Sequence, residues 1–224
     1  WSGRYHNDMN SRDTLVTELN VLESFDPVIP ESYQDCSYLM LGNLAPAIQR
    51  QVIRGMKNRP KLIAMDTMNF WMDIAMDDLK ETISLVDVLT INDEEARQLS
   101  GEYSLLLAAE KIQEMGPKYL IIKKGEHGAL LFHGREMFYA PALLLPSVAD
   151  PTGAGDTFAG GFMGYLKSTD DVSFENMKRA LVYGSALASF TVQRFGTEKI
   201  KEVSSAELES RMNEFKSLMS FTHK

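Results

Sequence analysis

Between residues 36 and 124, short apolar runs alternate with segments of helical periodicity. Tyr38–Leu41, Leu62–Met65, Val86–Ile91 and Tyr119–Ile122 are largely apolar on both faces of the pleat, whereas a strand buried on one side alternates with period two. The spacers predict helices near 46–56 and 77–85, one opening at Asp93, and one near 104–115. Doubly apolar strands separated by helices predict an α/β fold, a mostly parallel sheet covered by helices on both faces. Residues 129–140 then read as a hairpin through Ala129–Phe132 and Met137–Tyr139. Three helices follow, at about 155–167, 174–193 and 205–217. In the first of these, Phe158, Phe162 and Tyr165 share one face, and Gly160, Gly161 and Gly164 imply a closely packed neighbour.

The first 22 residues follow a different rule. Thr14–Val21 alternates along Leu15, Leu19 and Val21 as a half-buried strand would. Trp1–Asp8 is its expected partner, across a turn at Asp8–Ser11. Two strands alone are not independently stable, so this hairpin must lean on another part of the molecule. After Pro27 and Pro30 the α/β pattern takes over.

The 224 residues suffice for one sizeable core plus a small appendage. With 44% hydrophobic and 24% charged residues, the composition is that of a globular protein. No apolar run reaches membrane-span length, so no membrane partner is expected. The net charge of −8 argues against nucleic acid and implies that a bound polyphosphate brings Mg²⁺ with it. A single cysteine, Cys36, rules out an intrachain disulfide and fits a reducing, cytoplasmic location.

The chemistry concentrates in residues 146–165. Asp150-Pro151 halts regular structure, Gly153-Ala154-Gly155 gives a turn with unshielded N–H groups, and a helix follows from Asp156. A bare turn feeding a helix N-terminus is an anion site. The carboxylate of Asp156 inside it is either a helix cap or a base beside a bound anion. Phe158 breaks the dinucleotide fingerprint, and Gly161-Phe162 stand where a P-loop needs Lys and Ser/Thr.

Three other strand ends carry polar groups, and in open α/β sheets ligands bind there. Asn92 and Glu95 have the spacing of a capping box. Lys123-Lys124-Gly125-Glu126-His127-Gly128 reads as a turn with glycines at unusual backbone angles. Asp66-Thr67-Met68-Asn69 ends the second strand, with Phe70 and Trp71 read as core.

Every position from Asp150 to Met163 fits the second signature of the PfkB (ribokinase-like) family of carbohydrate and nucleoside kinases, which this chain resembles. The resemblance implies a ribokinase-like fold with a small β lid, residues 1–24 forming part of that lid and 25–224 the nucleotide-binding core. It implies an ATP-dependent kinase for a sugar or nucleoside, with Asp156 as general base and Gly153, Ala154 and Gly155 as anion hole. A catalytically silent nucleotide-binding module is the alternative. Asn92 and Glu95 match the family's Asn-x-x-Glu motif, Glu95 acting on Mg²⁺ through water. Gly125 and Gly128 match its Gly-x-x-Gly phosphate loop, with Lys123 favoured over Lys124. Ser185, in Gly184-Ser185-Ala186, falls at the adenine site, where close helix packing explains the small residues equally well.

Asp150, with Thr191, Arg194 and Gly196, corresponds to the family's monovalent-cation loop, implying K⁺. The family's Asp-x-Asn is one residue longer here, at Asp66 and Asn69. Lid residues Arg4, Tyr5 and Asn10 could touch the acceptor, and a homodimer could form through the lid. The chain starts at Trp1 in patterned sequence, without methionine. The family's N-terminal third, with its first strands and much of the acceptor pocket, is therefore expected to be absent, leaving a sheet with an exposed apolar border.

Overall fold

The computed structural model describes residues 1–7, 9 and 12–222. Its six-stranded sheet has the order β3-β4-β5-β6-β7-β8. Strands β3 (Tyr38–Leu41), β4 (Leu62–Asp66), β5 (Val88–Asn92) and β6 (Tyr119–Lys123) are parallel. β7 (Ala129–His133) and β8 (Glu136–Ala140) complete it as an antiparallel meander. Helices α1 (Pro46–Arg54), α2 (Asn69–Ile74), α3 (Met76–Ile83), α4 (Asp93–Ser100) and α5 (Leu105–Glu114) connect the parallel strands. The last three are α6 (Ala154–Thr169), α7 (Phe174–Thr191) and α8 (Ser205–Met219).

The alternation of side chains across the pleat divides the core in two. Leu62, Ala64, Val88 and Ile121 face Phe158, Phe162 and Leu166 of α6 and Ala180 and Leu181 of α7. Ile63, Met65, Leu89 and Leu120 face Leu79, Ile83, Ala96 and Ile112 on the opposite side. Both layers are buried, as the doubly apolar runs predict. Gly161 and Gly184 explain why α6 and α7 lie so close. A Cβ on Gly184 would stand 2.7 Å from the Phe158 carbonyl, and one on Gly161 3.1 Å from the Gly184 Cα. Gly160 and Gly164 have nothing within 4 Å of such a Cβ, so that packing argument holds for Gly161 alone.

The N-terminal hairpin differs from its expected form. β1 (Ser2–Tyr5) pairs antiparallel with β2 (Arg12–Val16), but β2 stops before Leu19. Asn20 takes a positive φ of 50° and Asn20–Leu22 form a 3-10 turn. Leu15 is 56% and Val21 81% exposed, so the alternation does not bury a face there. A two-stranded ribbon has no second layer to cover it. The predicted turn residues Asp8, Asn10 and Ser11 lie outside the described residues.

Two further boundaries move. The strand expected at Val86–Ile91 runs from Val88 to Asn92, and α2 is a short helix absent from the periodicity reading. It forms because Trp71 and Met72 are buried, Trp71 also donating its indole N–H to Asn43 Oδ1 at 2.8 Å. Phe70, half-buried, packs edge-on to Trp71 with ring centroids 4.9 Å apart. At the sheet's border, β3 has no outer partner among the described residues, and Tyr38, Leu39 and Met40 are half-buried rather than exposed.

Candidate active site

The carboxyl ends of β4, β5 and β6 place Asp66, Asn92 and Lys123 in a row, because Asp66 is in register with Thr90 and Asn92 with Lys123. Above them stands the first turn of α6. Its N-cap, Gly153, has φ 82°, a conformation that costs little only without a side chain. Nothing lies within 4 Å of the position a Cβ would take there. The Asp150 carboxylate accepts from the Thr152 N–H at 2.9 Å, fixing the approach to this turn. Thr152 also donates to the Tyr5 hydroxyl at 3.4 Å, tying the hairpin to the loop.

Of the three anticipated anion-hole N–H groups, Ala154 is already engaged, donating to the Pro151 carbonyl at 3.2 Å. Gly153 and Gly155 have no such backbone partner among the described residues. Asp156 is exposed in the first turn. It does not cap the helix, since the N-cap is Gly153 and no side-chain cap bond is present. The capping alternative for Asp156 therefore falls away.

Lys123 is drawn in from below. Its Nζ lies 3.4 Å from where a Gly155 Cβ would be and donates to Asp66 Oδ1 at 3.3 Å. Asp66 is 8% exposed. Burial raises its pKa, the Lys123 charge works against that, and the nearby Asp156 charge adds to it. Asn92 and Glu95 form the full capping box of α4: the Asn92 side chain accepts from the Glu95 N–H, and the Glu95 carboxylate from the Asn92 N–H, both at 2.7 Å. Replacing Asn92 by alanine should cost about 1 kcal/mol, checked by urea denaturation.

A cavity of about 300 Å³ opens beside the α6 turn. Gly125, Gly128 and Lys123 line one side, Gly155 and Phe158 another, and Ser185 and Ser189 of α7 a third. The lining is mainly apolar, as small-molecule pockets are. Ser185 gives its hydroxyl proton to the Leu181 carbonyl at 3.0 Å. Gly184 serves helix packing, and Ser185 lines the cavity. Gly128 is likewise required by the fold: φ is 88° and a Cβ would be 2.1 Å from the Ala140 carbonyl oxygen.

The structure thus gathers Gly125, Gly128, Lys123, Gly155, Ala154 and Ser185 around one cavity, with Asp156 at the same helix start. Asn92 and Glu95 lie one strand over and do not line it. Asn69 donates to Gln98 at 2.7 Å on α4. Arg4 is exposed, and Asn10 lies outside the described residues. The Ala149 and Asp150 N–H groups both donate to the Val192 carbonyl, at 2.8 and 3.4 Å, bringing Asp150 beside the 191–196 turn.

The sequence offers Asp66 only as the start of the family's lengthened Asp-x-Asn, and its pairing with Lys123 was not anticipated. Sequence reasoning also missed the apolar loop wall at Ala142–Leu145 and Val148, which has no periodicity to read. Among the described residues no three His, Cys, Asp or Glu side chains cluster as a metal cage. No helix among the described residues is long and apolar enough to cross a membrane.

Comparison with known proteins gives the family and the fold. The family model described as pfkB family carbohydrate kinase matches residues 5–203. Among curated proteins, the chain is 30% identical over 169 residues to a cytidine kinase of Thermococcus kodakarensis, covering 73% of this chain and 59% of that protein. It is 31% identical over 123 residues to a ribokinase of Staphylococcus aureus, covering 53% and 39%. The match thus spans less than two thirds of the length of each of these relatives. Among solved structures, the Thermotoga maritima ribokinase aligns with TM-score 0.63 and 27% identity, over 79% of this chain and 57% of that one. A Vibrio cholerae fructokinase, solved with fructose, ADP and calcium, aligns with TM-score 0.73 and 18% identity, over 94% and 72%. The fold is ribokinase-like.

Proposed function

Because the chain belongs to the pfkB family of carbohydrate kinases, we propose that it carries the nucleotide-binding and phosphoryl-transfer centre of an ATP-dependent kinase acting on a hydroxyl of a sugar or nucleoside. The observation that supports this most directly is the α6 start, where Gly153 and Gly155 N–H groups, Lys123 and Asp156 converge at the rim of an apolar cavity. The cavity would take the base and ribose, the α6 turn and Lys123 the phosphates.

Phosphoryl transfer asks the protein chiefly for positioning and charge stabilisation. The acceptor hydroxyl oxygen bonds to the γ-phosphorus, its proton passes to the Asp156 carboxylate, and the bond from phosphorus to the bridging oxygen breaks to release ADP. An ordinary carboxylate suffices as base because the proton leaves only as the new P–O bond forms. The Gly153 and Gly155 N–H groups meet the transferring oxygens. Ala154 joins them if its bond to the Pro151 carbonyl opens when the anion binds. Each such donor is worth about 10²–10³ in rate.

Mg²⁺, when bound, neutralises the triphosphate, and Glu95 is the residue proposed to hold it through water. Asp150 with the 191–196 turn is the proposed K⁺ position. Residues 1–24 act as the lid in this reading, Tyr5 already touching the loop before α6 through Thr152.

The test is a screen of nucleosides, free sugars and sugar phosphates with ATP, Mg²⁺ and K⁺. ADP formation that depends on an added acceptor is expected. Nucleotide binding with no acceptor-dependent turnover across the screen would instead favour a silent nucleotide-binding module.

A further inference from the structure

Asp66 does not line the cavity, yet it is one of the few buried carboxylates among the described residues. Its surroundings supply the Thr67 N–H at 3.0 Å and the Lys123 ammonium at 3.3 Å. β5 lies between β4 and β6, so the pair reaches across two strand spacings, about 10 Å of backbone separation. Register and alternation explain how. Asp66 is opposite Thr90, and Thr90 opposite Ile121, two residues before Lys123. All four side chains therefore leave the sheet on the α6 and α7 side.

A lone lysine there would be badly placed. The start of α6 carries the positive end of the helix dipole, and a flexible four-carbon stem would let the ammonium swing to water. Instead Nζ is held 3.4 Å from the Gly155 Cβ position. Resting on the kinase reading, we propose that Asp66 is the positioning residue for Lys123: its carboxylate fixes the ammonium at the anion site of α6, where Lys123 meets the nucleotide phosphates. Asp66 itself touches no ligand.

A double-mutant cycle on ADP binding tests this, because it separates action through Lys123 from any independent effect. Wild type, Asp66→Asn, Lys123→Met and the double variant are titrated calorimetrically with ADP and Mg²⁺, melting temperatures being recorded alongside. Each single variant is expected to bind ADP about tenfold or more weakly, the order of one charge-assisted contact. The double variant should bind no more weakly than Lys123→Met.

Independent losses that multiply would overturn the proposal, as would unchanged affinity in Asp66→Asn. Removing only Asp66 strands a part-buried cation and risks unfolding. In that case Lys123→Met is compared with the double variant, which has no stranded charge. Equal affinities support the assignment and unequal ones sink it. Wild-type protein that binds no ADP overturns the kinase reading and this inference with it. ADP binding with a multiplicative cycle overturns the inference alone.

Discussion

Asp156→Asn is expected to slow phosphoryl transfer by about 10²–10⁴-fold while ADP still binds. The substitution is nearly isosteric, and the position can absorb it. Asp156 is exposed, and the N-cap role belongs to Gly153. What is lost structurally is one negative charge near the helix start, worth about 0.3–1 kcal/mol. Removing that charge also removes a repulsion against the incoming phosphates, so nucleotide affinity should hold or improve. Rate and binding are therefore expected to separate. Single-turnover kinetics beside ADP calorimetry would show it, and wild-type turnover in the variant would remove Asp156 from the chemistry.

The second large effect is on stability. Gly128→Ala should destabilise the protein by about 3 kcal/mol, combining a left-handed backbone penalty of about 1–2 kcal/mol with overpacking of about 1–3 kcal/mol. The φ of 88° resists any side chain, and the new Cβ would meet the Ala140 carbonyl oxygen at 2.1 Å and Pro141 backbone atoms at 2.8 Å. Backbone cannot step aside as a side-chain tip can. Gly153→Ala is the control: φ is 82°, but the space is open, so only the backbone penalty of about 1–2 kcal/mol applies. Urea unfolding midpoints at unchanged slope compare the two. Equal losses would show that the Ala140 contact does not matter.

The contrast between these glycines shows where a local pattern stops being informative. Gly128 reads as a phosphate-loop residue and Gly153 as part of the anion hole, and both take positive φ. Only the chain returning along β8 distinguishes Gly128, whose space is filled by another strand, from Gly153, whose space is free. Leu15 and Val21 make the same point. Period two predicts a half-buried strand, but burial needs a second layer, and the hairpin has none over that face.

What the sequence determined by itself were the features carried by neighbours along the chain. These are the doubly apolar strands of a covered parallel sheet, the helical face of Phe158 and Phe162, the capping box of Asn92 and Glu95, and the glycine turn before Asp156. Each depends on spacings of a few residues, which the strand and helix repeats convert directly into geometry. The pairing of Asp66 with Lys123, the close approach of α6 to α7 at Gly161 and Gly184, and the Ala142–Leu145 wall of the cavity were decided by tertiary structure alone. They join residues far apart in sequence, and their energies come from burial and exclusion of water, which exist only once the layers have packed.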